Sequence, residues 1–184
     1  MILGSGIRLR AIERTDLPAF VRWFNDPDTR RCLEIVYPMS MTDEERWFER
    51  QLVSDDKVFA IEVREGEAWR HAGNVGLHRI DWRDRKAVIG IVIGEAGDRG
   101  RGHGCDAVRT LARFAFEELN LHRLELEVYE FNQRAIACYV RCGFRREGIR
   151  RQAVFRGGTY HDVVLMGLLA TDDVSGSPGR DGDG

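Results

Sequence analysis

No CxxC pair occurs among the four cysteines (Cys32, Cys105, Cys138 and Cys142), and no histidine stands at metal-ligand spacing from them. Cys138 and Cys142 lie four apart in a stretch with helical spacing, without a second ligand pair nearby. The pattern argues against a zinc or other metal site and for reduced, buried thiols. Nor does any stretch approach the roughly 20 apolar residues of a membrane span. The opening MILGSGIRLRAIERTD meets Arg8 and Arg10 before any long apolar run, which argues against a signal peptide. A cytoplasmic location without a membrane partner is the expectation. The net charge of −2 over 184 residues supplies no global field towards nucleic acid. Lysine is nearly missing: of 28 basic residues only Lys57 and Lys86 are lysine. Coding bias accounts for that without any preference for forked anion contacts, so no function follows from it. Internal repeats are absent.

What is present is the composition of a globular chain, 43% apolar and 32% charged, long enough for one domain with a real core. IRLRAI (7–12) alternates as a strand. Thr15 or Asp16 then caps a short helix through Trp23 and Phe24, which NDPD (25–28) stops. MTDEERWFERQLV (41–53) opens with Thr42 and Glu45 at the spacing of a capping box. KVFAIEV (57–63) reads as a strand, the polar REGEAWRHA (64–72) as a turn, and NVGLHRIDW (74–82) as a second strand. RDRK (83–86) returns the chain into AVIGIVI (87–93), which completes an antiparallel meander.

After residue 93 the pattern changes. A glycine-rich loop leads into a helix from about Cys105 to Leu119, with Val108, Leu111, Ala112, Ala115 and Leu119 on one face. RLELEV (123–128) is a strand, and NQRAIACYVRC (132–142) is helical and ends at Gly143. Strand 87–93, helix and strand 123–128 form one βαβ unit with a right-handed crossover. VFRGGTYHDVVLMGLL closes the fold as a hairpin that turns at Gly157 and Gly158. The expected organisation is a mixed α/β domain over residues 1–170 and a flexible, glycine-rich tail over 171–184.

DRGRGHGCDAV (98–108) carries the first chemical signal. Gly100, Gly102 and Gly104 lack Cβ atoms, so their amides can approach an anion closely, and the next helix adds unpaired N–H groups and its dipole. Arg99 and Arg101 can add charge-assisted hydrogen bonds. A tight strand-to-helix turn without a ligand uses the same residues. Other phosphate loops fit poorly: Gly104-Cys105-Asp106 offers neither the Lys nor the hydroxyl of a P-loop. The GxGxG spacing and the single βαβ unit also depart from a dinucleotide site, although Glu125 falls about 20 residues on.

A second motif, NQRAIACYVRCGF (132–144), places Asn132, Ala135, Tyr139, Gly143 and Phe144 around a helix and its stop. Together with RGRGHG it resembles the GCN5-related N-acetyltransferase (GNAT) superfamily, whose phosphate loop reads Arg/Gln-x-x-Gly-x-Gly/Ala; Arg99, Gly102 and Gly104 fall on that pattern. FAFEELNLHRLELEV is similar to the branch that acetylates ribosomal-protein N-termini and includes spermidine acetyltransferases. The resemblance spans roughly residues 7–169. It implies a mostly antiparallel central sheet, flanked by helices, with a splayed pair of parallel strands that hold acetyl-CoA. Ile91, Val92 and Ile93 would meet the pantetheine arm through their backbone. Arg99 and the amides of Gly100, Arg101, Gly102, His103, Gly104 and Cys105 would hold the pyrophosphate, and Asn132 would contact the cofactor from the next helix.

The resemblance further implies direct attack by an amine on the thioester, with no acyl-enzyme, so the cysteines are left to packing. Tyr139 matches the usual donor of a proton to the leaving thiolate; an unperturbed tyrosine, pKa about 10, stays protonated at neutral pH. Relatives carry a carboxylate where this chain has Val88, so the usual base is missing, and Glu34, His78, Asp81 and Glu127 are the candidates to replace it. The acceptor is expected to be a peptide or protein N-terminus or a small amine, polyamines included, with Glu34 as the substrate-side carboxylate. Val88 leans the choice to an α-amine, which sheds its proton more easily. A non-catalytic acyl-CoA-binding module is the alternative outside enzymes. The chain is expected as a monomer or homodimer. RREGIRR (145–151) reads as a solvated arginine face, not an RNA contact.

Overall fold

The computed structural model describes residues 1–172; the remainder of the expected tail, 173–184, lies outside the described residues. Eight strands share one sheet: β1 (Ile2–Leu3), β2 (Ile7–Ala11), β3 (Lys57–Glu65), β4 (Ala68–Asp81), β5 (Lys86–Ile93), β6 (Arg123–Tyr129), β7 (Arg145–Arg156) and β8 (Thr159–Leu169). Their spatial order is β1-β2-β3-β4-β5-β6-β8-β7. All neighbours are antiparallel except β5 and β6, which run parallel. The helix between those two, α4 (His103–Glu117), is the crossover of the βαβ unit. The remaining helices are α1 (Leu17–Asn25), α2 (Pro27–Arg31), α3 (Met41–Val53) and α5 (Gln133–Arg141).

The β5–β6 pairing decides where a ligand can enter. It covers only Lys86↔Arg123, Ala87↔Leu124 and Val88↔Glu125. Beyond Val88, β5 stays paired to β4 as far as Ile93, while β6 stays paired to β8 as far as Tyr129. The two strands therefore diverge into a wedge whose apex is Val88. Helix α4 buries Cys105, Val108, Leu111, Ala112 and Ala115 against the sheet beside this wedge, and α5 adds Ile136 and Tyr139 to the same core.

Three local expectations are corrected. The capping box of α3 is Ser40–Asp43 and not Thr42–Glu45: Ser40 Oγ accepts from the Asp43 amide at 3.2 Å, and Asp43 Oδ2 accepts from the Ser40 amide at 3.0 Å. Two overlapping frames offered the spacing, and the extended backbone of Ser40 (φ −94°, ψ 164°) selects the earlier one. NDPD does not only end α1. Asp26 accepts from the Thr29 amide at 2.9 Å and, with Pro27 behind it, starts α2. Of the polar REGEAWRHA run, only Gly66 and Glu67 turn, with Gly66 at φ +64°, and Ala68–Ala72 extend β4. Trp69 lies under the Arg8 guanidinium at 4.6 Å, and Ala72 is buried in the core, so this stretch is half-buried strand. RREGIRR, expected as a solvated arginine face, lies exposed on the edge strand β7.

Glu44 of α3 is buried, 2% exposed, and among the described residues no ion pair reaches it. Burial, with the charge of Asp43 second, pushes its carboxyl from 4.5 up to about 7. The folded chain thus keeps a proton that the unfolded chain releases, so stability falls as pH rises from about 4.5 to about 7. Glu44→Gln is expected to remove that slope and to stabilise the protein at pH 8 by about 1–3 kcal/mol. Thermal melts of both proteins at pH 5 and pH 8 check it; equal melting shifts for the two would contradict the assignment.

Candidate active site

A cleft of about 580 Å³ fills the wedge. Val88 to Ile93 form one wall, Glu127 to Tyr129 of β6 and the inner face of α5 the other, and the glycine loop lies at its wide end. The loop is braced from behind. Asp98 is buried and accepts a two-pronged contact from Arg70 at 2.9 Å. Arg99 donates through Nε to the Ile93 carbonyl at 3.1 Å, and through Nη2 to the Gly94 carbonyl at 2.8 Å and to Thr29 Oγ1 at 2.6 Å. Arg99 was expected to add charge to a phosphate contact; instead its side chain ties the loop to β5 and α2, because the carbonyls at the open end of β5 need donors.

What the loop presents is backbone. Gly100 and Gly102 adopt φ +79° and +91°, and a Cβ at either would meet nothing within 4 Å. Gly102 accepts the Asp106 amide at 3.0 Å and so starts α4 at His103, two residues before the apolar pattern. Among the described residues, the amides of Gly100 through Cys105 find no acceptor. Six free N–H groups at the positive end of a fifteen-residue helix fit a diphosphate. Arg101 and His103 offer these amides only, since neither side chain lines the cleft.

Tyr139 projects from α5 into the cleft lining, 7% exposed, with Phe144 edge-on at 5.8 Å. Burial pushes its hydroxyl above the ordinary value of 10, so it remains a neutral donor through the physiological range. Asn132 lines the cleft too, but its Oδ1 caps α5 by accepting the Ala135 amide at 3.3 Å. Cys105, Cys138 and Cys142, which their spacing left as separate packing residues, meet at the α4–α5 contact. Cys105 and Cys138 sulfurs are 2.7 Å apart, and all three lie within 4.8 Å of one another. Cys138, Cys142 and then Arg141 hold the Cys105 thiol well below its ordinary value.

The four candidate bases separate. Asp81 accepts the Asp84 amide at 2.9 Å and closes a turn outside the cleft. Glu127 lines the cleft but is paired with Arg150. Glu34 follows α2 and, though exposed, lines the cleft. His78 of β4 lines it at the apex and bonds to Asp56 at 3.0 Å. Asp56, Arg79 and Arg150 were not legible as site residues, because no local spacing links them to the motifs.

The acetyltransferase (GNAT) domain model matches residues 7–145. The chain is 28% identical over 167 residues to spermidine N(1)-acetyltransferase of Vibrio cholerae, covering 91% of this chain and 95% of that protein. It is 37% identical over 97 residues to the putative ribosomal N-acetyltransferase YdaF of Bacillus subtilis, about half of each protein (53% and 52%). The crystal structure of the Vibrio cholerae spermidine N-acetyltransferase in complex with CoA and spermine superposes with a TM-score of 0.84 at 27% identity, covering 91% of this chain and 97% of that one.

Proposed function

This chain belongs to the GNAT acetyltransferase family, and on that footing we propose that it moves an acetyl group from acetyl-CoA to a primary amine of a small polycation of the spermidine type. The observation that carries the cofactor half is the wedge with free amides at its wide end. The amides of residues 100–105 would hold the diphosphate. The backbone of Ile91 to Ile93, which β6 leaves unpaired apart from the Ile93 carbonyl taken by Arg99, would hold the pantetheine arm. From the loop side at Ile93 to the apex at Val88 is five residues, roughly 16 Å of strand. That span leaves the thioester near the apex, and bound acetyl-CoA supplies an acyl group activated for direct attack. Tyr139 stands ready to protonate the departing sulfur. Glu34 would bind the distal ammonium of the acceptor, and among the described residues no ion pair engages it. Relatives matched over nine-tenths of the chain support a small cationic acceptor.

A peptide α-amine is the second reading, favoured by Arg79 in the lining, whose charge would repel a polycation, whereas Arg150 there is paired with Glu127. The comparison that separates them is kcat/KM for spermidine against an N-terminal peptide. Glu34→Gln is expected to raise KM for spermidine a few-fold, the scale of one exposed charge contact, and to leave that for a neutral-bodied peptide unchanged. A preference for the peptide that Glu34→Gln does not alter would replace the first reading with the second.

A further inference from the structure

We propose that His78, oriented by Asp56, is the general base that takes the proton from the attacking amine, in place of the carboxylate missing at Val88. The proposal rests on the acetyltransferase reading and adds the group that reading lacks.

Strand alternation puts the imidazole where the base is needed. Ile91 and Ile93 point towards α4, since a Cβ on Gly104 would meet their side chains at 3.8 and 3.6 Å. Val88, Gly90 and Val92 therefore face the opposite side of the sheet. His78 is the cross-strand partner of Val88 and shares that face. Its ring crosses the neighbouring Gly76↔Gly90 pair, where a Cβ would come within 2.9 Å of Nε2 at Gly76 and 3.5 Å at Gly90. Two adjacent glycines make the room that the ring occupies. The imidazole thus lies at the wedge apex, on the face opposite Tyr139. An amine can then attack from one side while the sulfur leaves on the other.

Asp56 fixes the orientation. One of its oxygens meets His78 Nδ1 at 3.0 Å, and the other accepts the Arg79 amide at 2.9 Å. Arg79 sits at φ +50° where the β4–β5 register shifts, a left-handed residue inside a strand. That bulge turns its amide towards Asp56, and strain of this kind is kept where the surroundings over-determine it. With Nδ1–H donating to the carboxylate, Nε2 is left with its lone pair on the glycine side. The step balances simply: nitrogen bonds to the acyl carbon, its proton passes to Nε2, and the sulfur takes the Tyr139 proton as the C–S bond breaks. Asp56 from the loop before β3 and Arg79 of β4 adjoin the ring, Lys86 of β5 shares the face of Val88, and Glu34, Glu127 and Arg150 line the same cleft; Val58 of β3 packs over Gly76 beside the imidazole.

The test uses the whole chain, acetyl-CoA and an amine that the wild type acetylates, followed by thiol release from pH 5.5 to 9. His78→Gln is expected to lower kcat about thirty-fold or more and to flatten the acidic limb of kcat measured at saturating amine, with CoA affinity from calorimetry unchanged. Asp56→Asn, a positioning change, is expected to lower kcat several-fold while KM and CoA affinity stay unchanged, because Nδ1 loses the carboxylate that fixes the ring. Imidazole in solution should partly restore His78→Gly. Turnover within three-fold of wild type and an unchanged limb in a folded His78→Gln protein would overturn the dyad and leave the acetyltransferase reading intact. A wild type that binds CoA yet releases no thiol with any amine of a broad panel would overturn both.

Discussion

Tyr139→Phe is expected to lower turnover about a hundredfold while CoA affinity stays within about twofold of wild type. The ring remains, so its edge contact with Phe144 and its place in the core with α4 remain too. Only the hydroxyl is lost, and with it the buried donor at the wedge. Because burial raises the Tyr139 hydroxyl above its ordinary value, it does not ionise within the neutral range, and the residual rate of the variant should show the same acidic limb as wild type. Steady-state rates at saturating acetyl-CoA, with calorimetric titration of CoA, provide the check. Wild-type turnover in the variant, at a pH where chemistry limits the rate, would mean that water protonates the sulfur.

Gly102→Val is expected to weaken CoA binding about a hundredfold or more in a protein that still folds. At φ +91° Gly102 holds a conformation that a β-branched residue adopts only under strain, a cost of about 1–3 kcal/mol. A Cβ there would meet no atom within 4 Å beyond its chain neighbours, so the first carbon of the new side chain gives the fold no packing reason to fail. It would instead occupy the space beside the free amides of the loop. Losing two charge-assisted hydrogen bonds, each worth about 1.5–3 kcal/mol, accounts for the drop. Gly102→Ala should fall between the two, since it shares the strain but adds less bulk. Circular dichroism establishes folding, and calorimetry with CoA reads the affinity. Unchanged affinity in the folded variant would remove the diphosphate role from the loop.

Much of the proposed cofactor side is legible in the sequence. Glycines ahead of an amphipathic run announce an open backbone at a helix start, and the apolar positions of α4 and α5 follow the helical period. RLELEV alternates with the period of a strand, so the βαβ unit follows from pattern alone. Each of these signals sits within a window of about fifteen residues, where neighbours in the chain are neighbours in space. The ends of elements were less legible. Ser40–Asp43 and Thr42–Glu45 satisfy the same spacing rule, and Ala68–Ala72 are polar enough to read as a turn until pairing with β3 makes them a strand.

The acceptor side was decided by tertiary structure. Arg99 looked like a phosphate ligand in its motif, yet the open carbonyls of Ile93 and Gly94 claim its guanidinium. Asp56 and His78 stand 22 residues apart with a hairpin between them, and they meet only because β3 and β4 pair and β4 bulges at Arg79. Cys105 joins Cys138 and Cys142 across more than thirty residues because α4 and α5 pack. By itself the sequence determined where bare backbone and a helix start would offer an anion a cradle, since glycine content and hydrophobic period act locally. Only the tertiary structure decided which side chains meet in the cleft, because strand pairing, register shift and helix packing set distances that no spacing along the chain encodes.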